Sequence, residues 1–128
     1  MIDEEFEQVK EFHKAFGVPV SDKAVLLTKE RVKSRSGWMI EEINEFIESE
    51  NIYDQADAMI DLIYFALGTL VEMGVKPKNL FDIVQSANMG KLWEDGQPRF
   101  RENDGKIIKP KGWQDPYPKI KDAIDKMG

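Results

Sequence analysis

Between Ala56 and Val71 the only charged residues are Asp57 and Asp61. A helix running from Asp54, a reasonable N-cap, to Met73, with Gly74 as its stop and Pro77 just beyond, would be apolar nearly all round. Such a helix is expected at the centre of a bundle, buried on most sides. At its longest, from Ala58 to Val71, the apolar stretch is shorter than the ~20 residues of a bilayer span and has Asp61 inside it, so it reads as a core helix.

The rest of the chain supplies partners for it. Ile2, Phe6, Val9, Phe12 and Phe16 recur every three or four positions before Gly17, which predicts a first amphipathic helix with His13 at the edge of its stripe and without chemistry. Val18 to Asp22 reads as a loop. A long helical region then follows from about Ala24 to Glu50, with weak helix formers at Ser34, Ser36 and Gly37 that invite a break. Leu80, Ile83, Val84 and Ala87 predict a further helix ending near Lys91. From about residue 92 the chain becomes irregular, with turn signals at Asp95-Gly96 and Asp104-Gly105. Phe100 and Ile107 flank the second as a short hairpin. Prolines at 110, 116 and 118 precede a last short helix through Ile120, Ile124 and Met127. The expectation is an all-α bundle of about five helices, one domain over residues 1–128.

The chain lacks cysteine, so disulfides and thiolate metal sites are both excluded. With a start, Met1-Ile2-Asp3-Glu4-Glu5, unlike a signal peptide, a cytoplasmic address is expected. A formal charge of −6 argues against binding a nucleic acid polymer, whose affinity comes from Lys and Arg neutralising phosphates. A phosphate ligand would need a cation as escort.

The acids suggest where that cation sits. At ~100° per residue, Met39, Ile40, Ile43, Phe46 and Ile47 make one apolar stripe, with Glu42 at its edge, Glu45 beside it one turn on, and Glu41 and Glu48 nearer solvent. On the central helix Asp57 and Asp61 share a face that Tyr64 and Gly68 continue. Burying an unpaired carboxylate costs several kcal/mol, and no Lys or Arg lies on that helix. Either a basic residue from elsewhere pairs with them, or they face Glu42 and Glu45 across a metal. Mg²⁺ takes hard oxygen ligands in this way, with Mn²⁺ as a substitute. A di-iron site would want Glu-x-x-His motifs on facing helices, and His13 is the only histidine.

Glu41-Glu42-Ile43-Asn44-Glu45, followed by Asp61-Leu62-Ile63-Tyr64, resembles the EExxE…ExxD pattern of the MazG-like all-α nucleotide pyrophosphohydrolases, a superfamily shared with dimeric dUTPases and phosphoribosyl-ATP pyrophosphohydrolase. The resemblance extends to Phe12–Gly17, Ser86–Lys91, Asp104-Gly105-Lys106 and Lys109-Pro110-Lys111-Gly112-Trp113, and so covers most of the chain. It implies Mg²⁺-dependent cleavage of the α–β phosphoanhydride of a nucleoside triphosphate, giving monophosphate and pyrophosphate. It implies Glu42, Glu45 and Asp61 as metal ligands, and Glu41 as a further ligand or the group that orients water. It also places Tyr64, Asn88, Lys91, Lys109, Lys111 and Trp113 around the substrate, and a homodimer or tetramer as the assembly.

One position departs from the pattern: the glutamate of ExxD falls on Ala58, with Asp57 the nearest acid. Asp57 takes over with a shorter reach, or fewer metals bind, or activity is reduced. A non-catalytic helical module that binds nucleotide or protein is the rival of another class. Hydrolysis of phosphoribosyl-ATP is the rival substrate.

Overall fold

The computed structural model describes residues 1–127; Gly128, the last of the expected domain, lies outside them. It contains α1 (Ile2–Phe16), α2 (Lys29–Glu48), α3 (Ile52–Met73), α4 (Lys78–Met89) and α5 (Tyr117–Asp125). The expected hairpin is present as a single antiparallel bridge between Phe100 and Ile107, and no strand is formed among the described residues. The chain divides into two compact units, Met1–Pro77 together with Met127, and Lys78–Lys126.

In the first unit α3 packs against both α1 and α2. Phe6 and Val9 of α1 meet Leu67 and Val71 of α3 in a buried core, with Ile2, Val20 and Leu70 against it. Gly17 and Gly74 end α1 and α3 in the left-handed conformation that both positions were expected to supply. At Gly74 the chain also approaches closely: any Cβ would run into the Lys23 carbonyl. The loop there is tied to α3 by Ser21 N–H donating to Val71 O (3.2 Å) and Val25 N–H donating to Met73 O (2.8 Å).

Four local expectations need correction. The helix expected from Ala24 begins at Lys29, because Thr28 caps it, its Oγ1 accepting from Arg31 N–H at 3.2 Å. It runs unbroken through Gly37, held on either side by Arg35 and Trp38, which dock on α3. Asn51 and not Asp54 caps α3: Asn51 Oδ1 accepts from Asp54 N–H, and Asn51 Nδ2 donates to the Asp54 carboxylate, both at 2.9 Å. The helix after it stops at Met89, two residues early.

The inward stripe of α1 also differs. His13 is buried, bonded through Nδ1 to Pro19 O at 2.9 Å, whereas Phe12 and Phe16 stack on each other on the outside. Likewise α3 is buried at Ala58 and over much of Leu67 to Glu72, while between them Ile60 is 62% and Ile63 52% exposed. Periodicity reports that a face is apolar, and one chain does not cover every apolar face here. Among the described residues no single helix is long and apolar enough to cross a membrane.

In the second unit α4 packs with α5. Trp113 Nε1 donates to Ala87 O of α4 (2.7 Å), and Trp93 Nε1 donates to Ile108 O (3.0 Å), which pins the irregular segment.

Candidate active site

The contacts between α2 and α3 follow one antiparallel register. Arg31 pairs with Glu72, Arg35 lies against Gly68, and Trp38 packs on Phe65 with ring centroids 6.0 Å apart. The steps of four and three along α2 match equal steps backward along α3, the spacing of a helix–helix seam. Continued by the same steps, the seam brings Glu42 level with Asp61 and Glu45 level with Ala58, which is buried. The seam therefore has a cation–anion end and a carboxylate end.

At the carboxylate end Glu42 and Asp61 are half-buried, while Glu41, Glu45 and Asp57 are exposed. Glu42 Oε2 is buried and has no hydrogen-bond partner. The Glu42 carboxyl is raised to about 7, first by burial, then by a hydrogen bond that the protonated form donates to Glu45 and by the charges of Glu45, Asp61 and Asp57. Asp61 is also raised, first by burial and then by Asp57 and Glu45. The four acids thus share one electrostatic site. No ion pair joins any of them to Lys, Arg or His among the described residues. The basic partner weighed from the sequence is not there.

Carboxylate oxygens without a cationic side chain, one of them orphaned and buried, are donors that fit a hard divalent ion such as Mg²⁺. Among the described residues no three His, Asp or Glu side chains converge in ion-holding geometry, so electrostatics and not tight coordination groups these acids. Tyr64, one turn beyond Asp61, sets its ring edge-on to Phe12 at 5.8 Å.

The residues named for substrate lie in the second unit, apart from Tyr64. Lys91 Nζ is 5.5 Å and Lys109 Nζ 4.6 Å from the Trp113 ring centre, so two ammonium groups and an indole are brought together. Trp113 also lines a cleft of about 490 Å³ with Ser86, Ala87, Asp115 and Lys119. Lys111 instead lines a second cleft with Trp93 and Arg99, and Asn88 is exposed on α4. The first unit carries sixteen acids against eight Lys and Arg, the second eight against ten, so acidic and basic side chains are segregated along the chain.

Sequence reasoning missed the other end of the seam. Arg31 Nε and Nη2 donate to the two Glu72 oxygens, both at 2.9 Å. Arg35 Nη1 reaches Glu72 at 3.1 Å, Nε donates to Thr69 Oγ1 (3.1 Å) and Nη2 to Phe65 O (2.8 Å). Arg35 and Glu72 are both buried, and Trp38 and Phe65 face the Arg35 guanidinium. A faint signal exists: Arg31 and Arg35 are four apart, and Glu72 is the one other acid on the apolar helix beyond Asp61.

Comparison with known proteins bears on what such a site does. The phosphoribosyl-ATP pyrophosphohydrolase family matches residues 9–88, a span that contains the acids, the seam and Asn88. The crystal structure of a protein from Exiguobacterium sp. 255-15, provisionally named an NTP pyrophosphohydrolase, is 31% identical. The alignment covers 95% of this chain and 94% of that one, with a TM-score of 0.55. No curated protein matches the sequence.

Proposed function

Because this chain belongs to the MazG-like all-α pyrophosphohydrolases, the superfamily that includes phosphoribosyl-ATP pyrophosphohydrolase, we propose that it cleaves nucleoside or deoxynucleoside triphosphates between the α- and β-phosphates, on Mg²⁺ held by Glu42, Glu45, Asp57 and Asp61. Membership makes it a nucleotide pyrophosphohydrolase and displaces the non-catalytic module as a reading. The observation that carries the metal assignment is the orphaned Glu42 oxygen amid four acids that no cationic side chain neutralises.

The residues divide the work by their chemistry. Glu42, Glu45, Asp57 and Asp61 offer only anionic oxygens and would hold the ion, with Mn²⁺ accepted in place of Mg²⁺. An ion bound there would neutralise phosphate charge and acidify a coordinated water. Glu41, one residue from Glu42 and exposed, would accept a proton from the attacking water and orient it. Lys91 and Lys109 would hold phosphate oxygens, Lys111 would add a further charge, Trp113 would stack on the base, and Asn88 and Tyr64 would contact base or sugar. The products are a monophosphate and pyrophosphate, as expected of an enzyme that works on the cytosolic nucleotide pool.

The family match also favours a second substrate, phosphoribosyl-ATP, which contains the same bond. A panel of nucleoside and deoxynucleoside triphosphates and phosphoribosyl-ATP, each with Mg²⁺, decides between them. Release of pyrophosphate with the matching monophosphate is expected from at least one triphosphate. Turnover of phosphoribosyl-ATP alone would reassign the substrate, and no turnover of any would reject the reading.

We also propose that the working form is a homodimer or tetramer. Ile40, Ile47, Ile52, Ile60 and Ile63 on α2 and α3 are each more than half exposed, an apolar load that single soluble chains seldom leave open. Light scattering is expected to give twice or four times the mass of one chain, and Ile47→Lys with Ile60→Lys to lower it. A parent protein of single-chain mass would refute this.

A further inference from the structure

The buried charges at the other end of the seam are not among the residues proposed to hold metal or substrate, yet they are bonded at several points. Arg35 alone touches three successive turns of α3, at Phe65 O, Thr69 Oγ1 and Glu72. Its guanidinium occupies the space over Gly68, where any Cβ would collide with Arg35 Nη2 and come within 2.9 Å of His13 Nε2. Apolar ridges on two helices tolerate sliding by a turn, because one isoleucine fills much the same hole as another. A fork of donors on a backbone carbonyl, a hydroxyl and a carboxylate does not, because a slip leaves buried polar groups unpaired. Arg35 is two turns before Glu42 on α2, and Phe65 one turn after Asp61 on α3, so whatever fixes the first pair fixes the second.

We propose that Arg35, with Glu72 and Arg31, sets the axial register of α2 on α3 and thereby brings Glu42 level with Asp61 and Glu45 level with Ala58, next to Asp57. Arg35 is then a positioning residue for the carboxylate site. The consequence for metal binding rests on the function proposed above; the register itself does not.

The test replaces the buried pair by apolar side chains of similar length, Arg35→Met with Glu72→Met. Exchange of this kind often preserves or raises stability, and Arg31, partly exposed, keeps access to water. The chain has no cysteine, so spin labels go cleanly onto Lys33→Cys and Gln55→Cys, exposed positions on α2 and α3 that the seam separates by roughly 23 Å along the axis. In the double variant the label distance is expected to shift by about 5 Å, one helical turn, or to split into two populations. The rise in melting temperature that Mg²⁺ gives the parent is expected to shrink at least twofold. Arg35→Lys, which keeps the charge opposite Glu72 but cannot span Phe65 O and Thr69, serves if the double variant does not fold, and should broaden the distance in the same sense.

A label distance unchanged in the folded variants overturns the proposal, whatever the metal does. A shifted distance in a protein whose parent does not respond to Mg²⁺ upholds the register role and rejects the carboxylate reading instead.

Discussion

Replacing Glu42 with glutamine is expected to abolish pyrophosphate release, by at least about a hundredfold, while making the metal-free protein more stable at pH 8. The two effects have one cause. Glu42 is held near 7 by burial and then by Glu45, Asp61 and Asp57, against 4.5 for an unperturbed glutamate, so the folded chain binds this proton more tightly than the unfolded chain does. Stability therefore falls as pH rises from about 4.5 to about 7 and stays low above that. At pH 8 the charged carboxylate opposes folding by about 1 kcal/mol after solvent screening, and glutamine removes that opposition. For a chain of this length the melting temperature should rise by a few degrees, roughly 4 °C. The same proton competes with a cation, so the Mg²⁺-induced rise in the parent should be small at pH 6 and large at pH 8, and absent in the variant at both. Differential scanning calorimetry across that range, beside a pyrophosphate assay, reads all of these. A Glu42→Gln protein that still responds to Mg²⁺ and turns over substrate would remove Glu42 from the site.

The acids were legible from sequence because each breaks a strong pattern: Asp57 and Asp61 interrupt an apolar helix, and Glu42 sits at the margin of an apolar stripe. Gly17 and Gly74 were legible for a similar reason, since only one backbone conformation ends those helices cheaply. Asn51 was not, because Asn and Asp cap equally well and the sequence points to Asp54, three residues on, in its place. The Arg35–Glu72 pair was invisible to any local rule. Its partners are 37 residues apart, and nothing in the periodicity of either helix fixes how far one slides along the other. Phe12, Phe16 and Ile47 show the reverse limit. They belong to apolar stripes, yet they are exposed, since a stripe says which side is apolar and not whether this chain covers it. His13, placed at the margin of that stripe, is the residue that goes inside, because a short loop carries the Pro19 carbonyl back to its ring.

Asp57 and Ala58 give the other large expected effect, because the structure turns an irregularity of the motif into a question of geometry. Ala58 lies buried in the α2–α3 seam, level with Glu45, whereas Asp57 is exposed one position round the helix, and its charge still reaches both Glu42 and Asp61. If Asp57 supplies the fourth set of oxygens from that side, Asp57→Asn should lower turnover at least tenfold with little change in the metal-free melting temperature. Ala58→Glu should do something different. A glutamate there adds a buried like charge beside Glu45, at a cost of about 3 kcal/mol, so the metal-free protein should melt roughly 10 °C lower. Saturating Mg²⁺ should recover most of that loss, because a cation that binds only the folded state stabilises it by mass action and the fifth carboxylate deepens its site. Turnover with Mg²⁺ should then match or exceed the parent's, and Ala58→Glu should restore activity to Asp57→Asn. An Ala58→Glu protein whose melting temperature stays equally low with and without Mg²⁺ would mean that no cation sits between these helices. An Asp57→Asn protein of parental rate would make Asp57 a spectator and leave three acids to hold the metal.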